Sequence, residues 1–174
     1  IGLSMPAWAN WKHDFPDQHH ALTVRVVAEQ FAWNIHYPGR DGIFGRTDIG
    51  FINNTGNSLG LDPSDPNGKD DIVTLNELHI PIGNSVIVNL SSKDVIHSFG
   101  INVLRVKQDA VPGMVVPIHF DVARTAKAGT YDISCAQLCG LGHYRMQGFV
   151  YLDTPDQYAQ WMAQKESELQ GVTQ

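Results

Sequence analysis

From Leu22 the chain alternates: Leu22, Val24 and Val26 are apolar, and Thr23 and Arg25 between them are polar. A period of two sends successive side chains to opposite faces, so the segment reads as a half-buried strand. Residues 31–36, Phe-Ala-Trp-Asn-Ile-His, read as a second strand. Further strands are expected at 72–75, 85–90, 101–106, 115–122, 130–134 and 149–152, each short and bounded by Gly, Pro, Asn or Asp. Many short strands punctuated by turn residues imply an all-β sandwich or barrel. One helix is expected, at 154–171. Thr154 can cap it, Pro155 suits its first turn, Gln157 completes a capping box and Gly171 can end it. Tyr158, Trp161, Met162 and Leu169 fall on one face of this helix, as core packing requires.

A length of 174 residues, 43% of them apolar, suits one domain with a real core and excludes a disordered chain. The longest unbroken apolar run is four residues, 149–152. A spanning helix needs about 20, so none is expected here. A net charge of -6 argues against a nucleic-acid partner and suits a basic protein partner. Residues 1–21 read as a polar, irregular terminal arm, with His13, His19 and His20 at its surface. The main domain is expected at 22–153, with a long loop at 39–71. Fifteen of the 19 residues at 53–71 are Gly, Pro, Asn, Asp or Ser. The stretch 41–77 carries seven acids against Arg46 and Lys69. It reads as a solvated loop or as part of a docking face for a cationic partner. Its acid spacing matches no regular calcium loop.

Residues 135–146 concentrate the chemistry. Cys135, Cys139, His143 and Met146 form Cys-x-x-x-Cys-x-x-x-His-x-x-Met, with Gly140 and Gly142 letting the backbone fold tightly. Two cysteines are too few for a disulfide scaffold, though one local disulfide is the plain alternative. Thiolate, imidazole and thioether together select copper among the common metals. A haem attachment site needs a different cysteine spacing. A mononuclear blue-copper site uses one Cys, so the second thiolate suggests two coppers bridged by both sulfurs. A second imidazole must then come from elsewhere. His97, expected on a rim loop after the strand 85–90, is the best candidate; His36, His79 and His119 read as structural.

The chain resembles the soluble copper-bearing domain of cytochrome c oxidase subunit II, the binuclear CuA domain. The resemblance is carried by Gln30-Phe31-Ala32-Trp33, by 94–99 (Asp-Val-Ile-His-Ser-Phe), by 107–113 (Lys-Gln-Asp-Ala-Val-Pro-Gly) and by the cysteine loop, in that order. It implies a cupredoxin-like Greek-key β-barrel. It implies two copper ions bridged by Cys135 and Cys139, with His97 and His143 each on one copper. Met146 would be a weak axial donor beside His97, and the Gln137 carbonyl would complete the other copper. Three positions depart from the family's usual pattern. Gln137 stands where Glu is usual, which puts a magnesium contact at the subunit boundary in doubt. Phe31 stands where an electron-accepting Trp is common, leaving Phe31, Trp33 or Tyr144 for electron entry. Met114 replaces the Arg of Pro-Gly-Arg.

By that resemblance the domain takes electrons from a c-type cytochrome and relays them to the haem-copper subunit I of a proton-pumping terminal oxidase. It would face the periplasm, anchored by upstream membrane helices that this chain lacks, so it reads as a soluble fragment. A charge change shared over two metals and two sulfurs perturbs a low-dielectric site little, which suits electron transfer without substrate chemistry. Rival readings are the CuA domain of a nitric oxide or nitrous oxide reductase, and a copper-delivery chaperone. The chaperone's thioredoxin fold needs a β-α-β alternation that is not visible here.

Overall fold

The computed structural model describes residues 2–18, 20–53 and 55–172. Ten strands form two five-stranded sheets, and helices stand at the two ends of the chain. The first sheet runs β3 (Ile72–Leu75), β2 (Ala32–Tyr37), β1 (Leu22–Glu29), β5 (Ser85–Ser92), β8 (Val116–Asp121). The second runs β4 (Glu77–Pro81), β10 (Gln147–Asp153), β9 (Gly129–Cys135), β6 (His97–Ile101), β7 (Val106–Ala110). Burial alternates along β1, where Val24, Val26 and Ala28 face inward. They meet Trp33 and Ile35 of β2, Val88 of β5, and Leu78, Phe99 and Ile133 of the second sheet in one core. Each fully buried aliphatic side chain contributes about 1.5–3 kcal/mol.

Three expectations from the sequence need correction. The single strand expected at 101–106 is two strands, β6 and β7, separated by a 3₁₀ turn at Asn102–Leu104. The apolar letters of 101–106 span a corner rather than a strand, and Arg105 turns it with a left-handed φ of 55°. Strand β4 fell outside the expected set because Glu77-Leu78-His79-Ile80-Pro81 mixes charge and Pro. It pairs in parallel with β10, and its even positions Leu78 and Ile80 are fully buried. The arm read as irregular holds helix α1, Ser4–His13. Pro6 near its start and Lys12 and His13 in its last turn suit a helix, but weak amphipathicity hid it from a periodicity reading.

The closing helix, α2 (Pro155–Val172), opens on a reciprocal capping box. The Gln157 N–H donates to Thr154 Oγ1 (3.3 Å), and the Thr154 N–H donates to Gln157 Oε1 (2.9 Å). Trp161 lays its ring on His79 (4.2 Å between centroids, nearly parallel) and edge-on to Tyr37. The far face of His79 stacks on Tyr151, and its Nδ1 meets Asp153 at 2.7 Å.

The segment between β2 and β3 has no strand, but its acids hold it in shape. Asp71 is buried and accepts from His36 Nε2 (2.6 Å) and from the Gly45 N–H (2.8 Å). Asp65 accepts from the Arg46 and Asn67 N–H groups, which keep its carboxyl below the usual range. Asp62 binds the Arg46 guanidinium at 2.8 Å. Asp41, Asp48 and Asp70 accept from further backbone N–H groups of the segment, so six of the seven acids serve the loop itself. Arg40 ties the segment to α2 through Glu166.

Candidate metal centre

Register explains how distant residues reach one point. Strands β9 and β10 form a hairpin with Ser134 opposite Gln147, so Cys135 and Met146 stand at the two sides of its mouth. Strand β6 pairs with β9 with Phe99 opposite Cys135. Continued two residues, that register sets His97 level with Gln137, beyond the end of β9. The Ala136 N–H donates to the Ser98 carbonyl (2.9 Å) and fixes the loop there. His97 is the first residue of β6 and fully buried, rather than a member of an exposed rim loop.

The six residues singled out by motif and resemblance stand in one cluster. The two sulfurs, Cys135 Sγ and Cys139 Sγ, are 3.8 Å apart and unbonded. A disulfide requires about 2.05 Å, so the plain alternative of a local bridge is not what the structure holds. His97 Nδ1 lies 3.9 Å from Cys135 Sγ and 3.2 Å from Met146 Sδ. His143 Nδ1 lies 3.6 Å from Cys139 Sγ, and Met146 Sδ lies 3.7 Å from the same sulfur. The Gln137 carbonyl oxygen is 3.1 Å from Cys135 Sγ. Both imidazoles thus turn Nδ1 toward the thiols. His36 and His79 are occupied by Asp71 and Asp153, and His119 packs on Phe15 with ring centroids 4.5 Å apart. Among the described residues, the one group of metal-type ligands within mutual reach is His97, Cys135 and Cys139.

Neighbouring elements hold the cluster. The far nitrogen of His97, Nε2, meets Asp94 Oδ1 at 2.9 Å. Asp94 also accepts from the Gln30 N–H and the Val95 N–H, both at 2.6 Å. Partial burial opposes ionisation of Asp94, but the bonds from His97, Gln30 and Val95 outweigh it and hold the carboxyl below its usual range. Gln30 Nε2 donates to the Cys139 carbonyl at 2.7 Å. Asp94 and Gln30 lie inside the sequence blocks that carried the resemblance, yet no role was read for them; an acid three residues before His97 was the available signal. Burial, then the adjacent Cys135 thiol, pushes the Cys139 thiol up to about 11. Metal binding there must displace a proton.

The cysteine loop lies on the Phe31 ring. A Cβ on Gly142 would run into that ring, and Gly140, at φ 133°, would bring one against Gln30 Nε2 and Phe31. Of the three aromatic residues considered for electron entry, Tyr144 is 87% exposed. Phe31 is half-buried, and Trp33 is fully buried, edge-on to His97 and Phe99. Leu138 and Leu141 stand exposed on the same loop as Tyr144.

Two thiols, two imidazole Nδ1 atoms, a thioether and a carbonyl converging at one end of a β-sandwich fit copper and leave no need for a ligand from outside. These features define a cupredoxin-like copper domain of electron transport. The chain belongs to the family of the periplasmic domain of cytochrome c oxidase subunit II, whose model matches residues 22–151. It is 40% identical over 148 residues to the alternative cytochrome c oxidase subunit 2 of Bradyrhizobium diazoefficiens, covering 84% of this chain and 52% of that protein. It is 43% identical over 146 residues to cytochrome c oxidase subunit 2 of Thermostichus vulcanus, covering 84% and 34%. The chain therefore spans about half or less of these relatives. Among solved structures it is similar to the periplasmic domain of cytochrome oxidase subunit II of Bradyrhizobium japonicum. That match has a TM-score of 0.62 at 25% identity, over 88% of this chain and 98% of that one. No described helix is long and apolar enough to cross a membrane.

Proposed function

We propose that this domain carries electrons through a binuclear copper centre on the periplasmic side of a terminal oxidase. Cys135, Cys139, His97, His143, Met146 and the Gln137 carbonyl would together hold two coppers. When bound, the pair supplies a one-electron couple whose charge is shared between the metals and the sulfurs. The observation that carries the reading is the cluster itself: six donors from β6, β9 and one loop linked by contacts of 3.1–3.9 Å.

The protein's own residues do the rest. Asp94 holds His97 by Nε2 and so presents Nδ1. Gln30 holds the loop by the Cys139 carbonyl. Met146 and Cys139, both nearly fully buried, keep water from one side of the cluster. A site held this firmly changes little between oxidation states, which favours fast transfer. A c-type cytochrome is the proposed donor, entering by way of exposed Tyr144 with Phe31 beneath the loop, and the haem-copper subunit I is the proposed acceptor. Buried Trp33 offers a path inside the fold but no surface to a donor. Oxygen reduction and proton pumping would belong to the whole enzyme.

Reconstitution with copper tests the reading. Two coppers per chain and a purple absorption spectrum support it. One copper with an intense blue colour, or a colourless product, refutes it.

A further inference from the structure

The outer face of the first sheet carries a groove of about 560 Å³ beside the segment between β2 and β3. Val24 and Val26 of β1 face the core, so Arg25 and Val27 face the other way. Register sets these two beside Asn89 and Ser91 of β5, and sets His36 of β2 on the far side of Arg25. Ile52 and Leu59 of the segment, with Val115 just before β8, give the groove apolar walls. Two of its three basic side chains have partners: His36 meets Asp71 and Lys93 meets Glu29, each at 2.6 Å. Arg25 differs. Its guanidinium lies 4.1 Å from the centroid of the Phe44 ring and makes no hydrogen bond or ion pair among the described residues. Stacking occupies the face of a guanidinium and leaves its in-plane N–H donors unspent. Burial lowers the Arg25 pKa, and attraction to Asp71 offsets this only in part. Asp71 is itself sealed away from solvent, and no carboxylate lines the groove. The Asn89 and Ser91 side chains also make no hydrogen bond among the described residues.

We propose that this groove binds a small amphipathic carboxylate, with the charged end on Arg25 and the apolar body against Val27, Ile52 and Val115. Three features select this chemistry. A half-buried cation without a contacting counterion favours an anion. The planar fork of a guanidinium matches the two oxygens of a carboxylate. The apolar walls favour a hydrocarbon body, which a bare inorganic anion lacks. Asn89, beside Arg25 in the next strand, offers the same carboxylate a further donor. The volume lies within the range of ordinary small-molecule sites. The inference stands apart from the copper reading, since no residue of the metal cluster lines the groove.

Isothermal titration calorimetry with octanoate, octan-1-ol and inorganic phosphate tests it. Octanoate is expected to bind at one site per chain, about tenfold or more tighter than octan-1-ol, as hydrogen bonds to a charged group imply. Phosphate should bind more weakly than octanoate. Arg25→Gln should weaken octanoate binding about tenfold or more and leave octan-1-ol within about twofold. Arg124→Gln, outside the groove, changes the net charge equally and should leave octanoate binding unchanged. Circular dichroism reports whether the variants fold. If Arg25→Gln does not, Val115→Glu sets an acid at a rim position that is 67% exposed, and should weaken octanoate binding while sparing octan-1-ol. No octanoate binding, equal binding of octan-1-ol, phosphate binding as tight as octanoate, equal effects of Arg25→Gln and Arg124→Gln, or a Val115→Glu variant that binds octanoate normally would overturn the proposal.

Discussion

Asp94 offers the sharpest test of how the fold prepares its metal donors. Its carboxylate accepts from His97 Nε2 at 2.9 Å and from two backbone N–H groups at 2.6 Å. Asp94→Ala removes all three bonds. Asp94→Asn keeps one uncharged acceptor, which can serve His97 and Val95 on the Oδ1 side but not Gln30, which bonds Oδ2. Loss of a ligand's outer hydrogen-bond partner costs about 10–100-fold in metal affinity, or about 1.4–2.7 kcal/mol. A hydrogen bond to a charged group contributes about 1.5–3 kcal/mol to stability, so the apo-protein of the Ala variant should also lose about that amount. Competition with a copper chelator measures the first quantity, and urea unfolding of the apo-protein the second. Asn should recover part of the stability and part of the copper affinity. If Asn and Ala lose stability alike while both bind copper as tightly as the parent protein, then Asp94 does not orient His97 and the reasoning fails.

Other substitutions probe the surroundings. Gly142→Ala should push the cysteine loop off Phe31, lowering stability by about 1–3 kcal/mol and reducing copper uptake; unchanged melting would contradict this. Trp161→Ala strips the stack from His79 and the edge contact from Tyr37 and should cost about 3 kcal/mol in urea unfolding. Asp65 is held below its usual range by the Arg46 and Asn67 amides, so its contribution is present above the ordinary carboxylate range and fades as pH falls through its lowered value. Hydrogen exchange at those two amides should accelerate on acidification relative to strand β1, and Asp65→Asn should blunt that acid dependence. His97→Ala should abolish the mixed-valence spectrum, whereas His119→Ala, against Phe15, should leave it intact.

The sheets were legible where residues obey one rule at a time. Strand β1 alternates cleanly because one face is core and the other is not. Strand β2 has five successive buried residues because the loop covers its outer side, with Asp71 and Phe44 against His36. The corner at Asn102–Leu104 was not legible, since Ile101, Val103, Leu104 and Val106 carry apolar letters whether the chain runs straight or turns. Helix α1 was missed because its polar and apolar residues follow no strong period. At the candidate metal centre the six clustered residues were legible: four from local spacing, His97 from the need for a second imidazole, and Gln137 from resemblance. Their outer partners were not, because Gln30 reaches Cys139 across 109 residues of chain and no periodicity encodes such a contact.

Electron paramagnetic resonance of the oxidised, copper-loaded protein addresses the central claim most directly. The cluster of Cys135, Cys139, His97 and His143 predicts hyperfine structure from one unpaired electron shared equally by two copper nuclei. A pattern arising from a single nucleus would show that the two sulfurs do not join a pair.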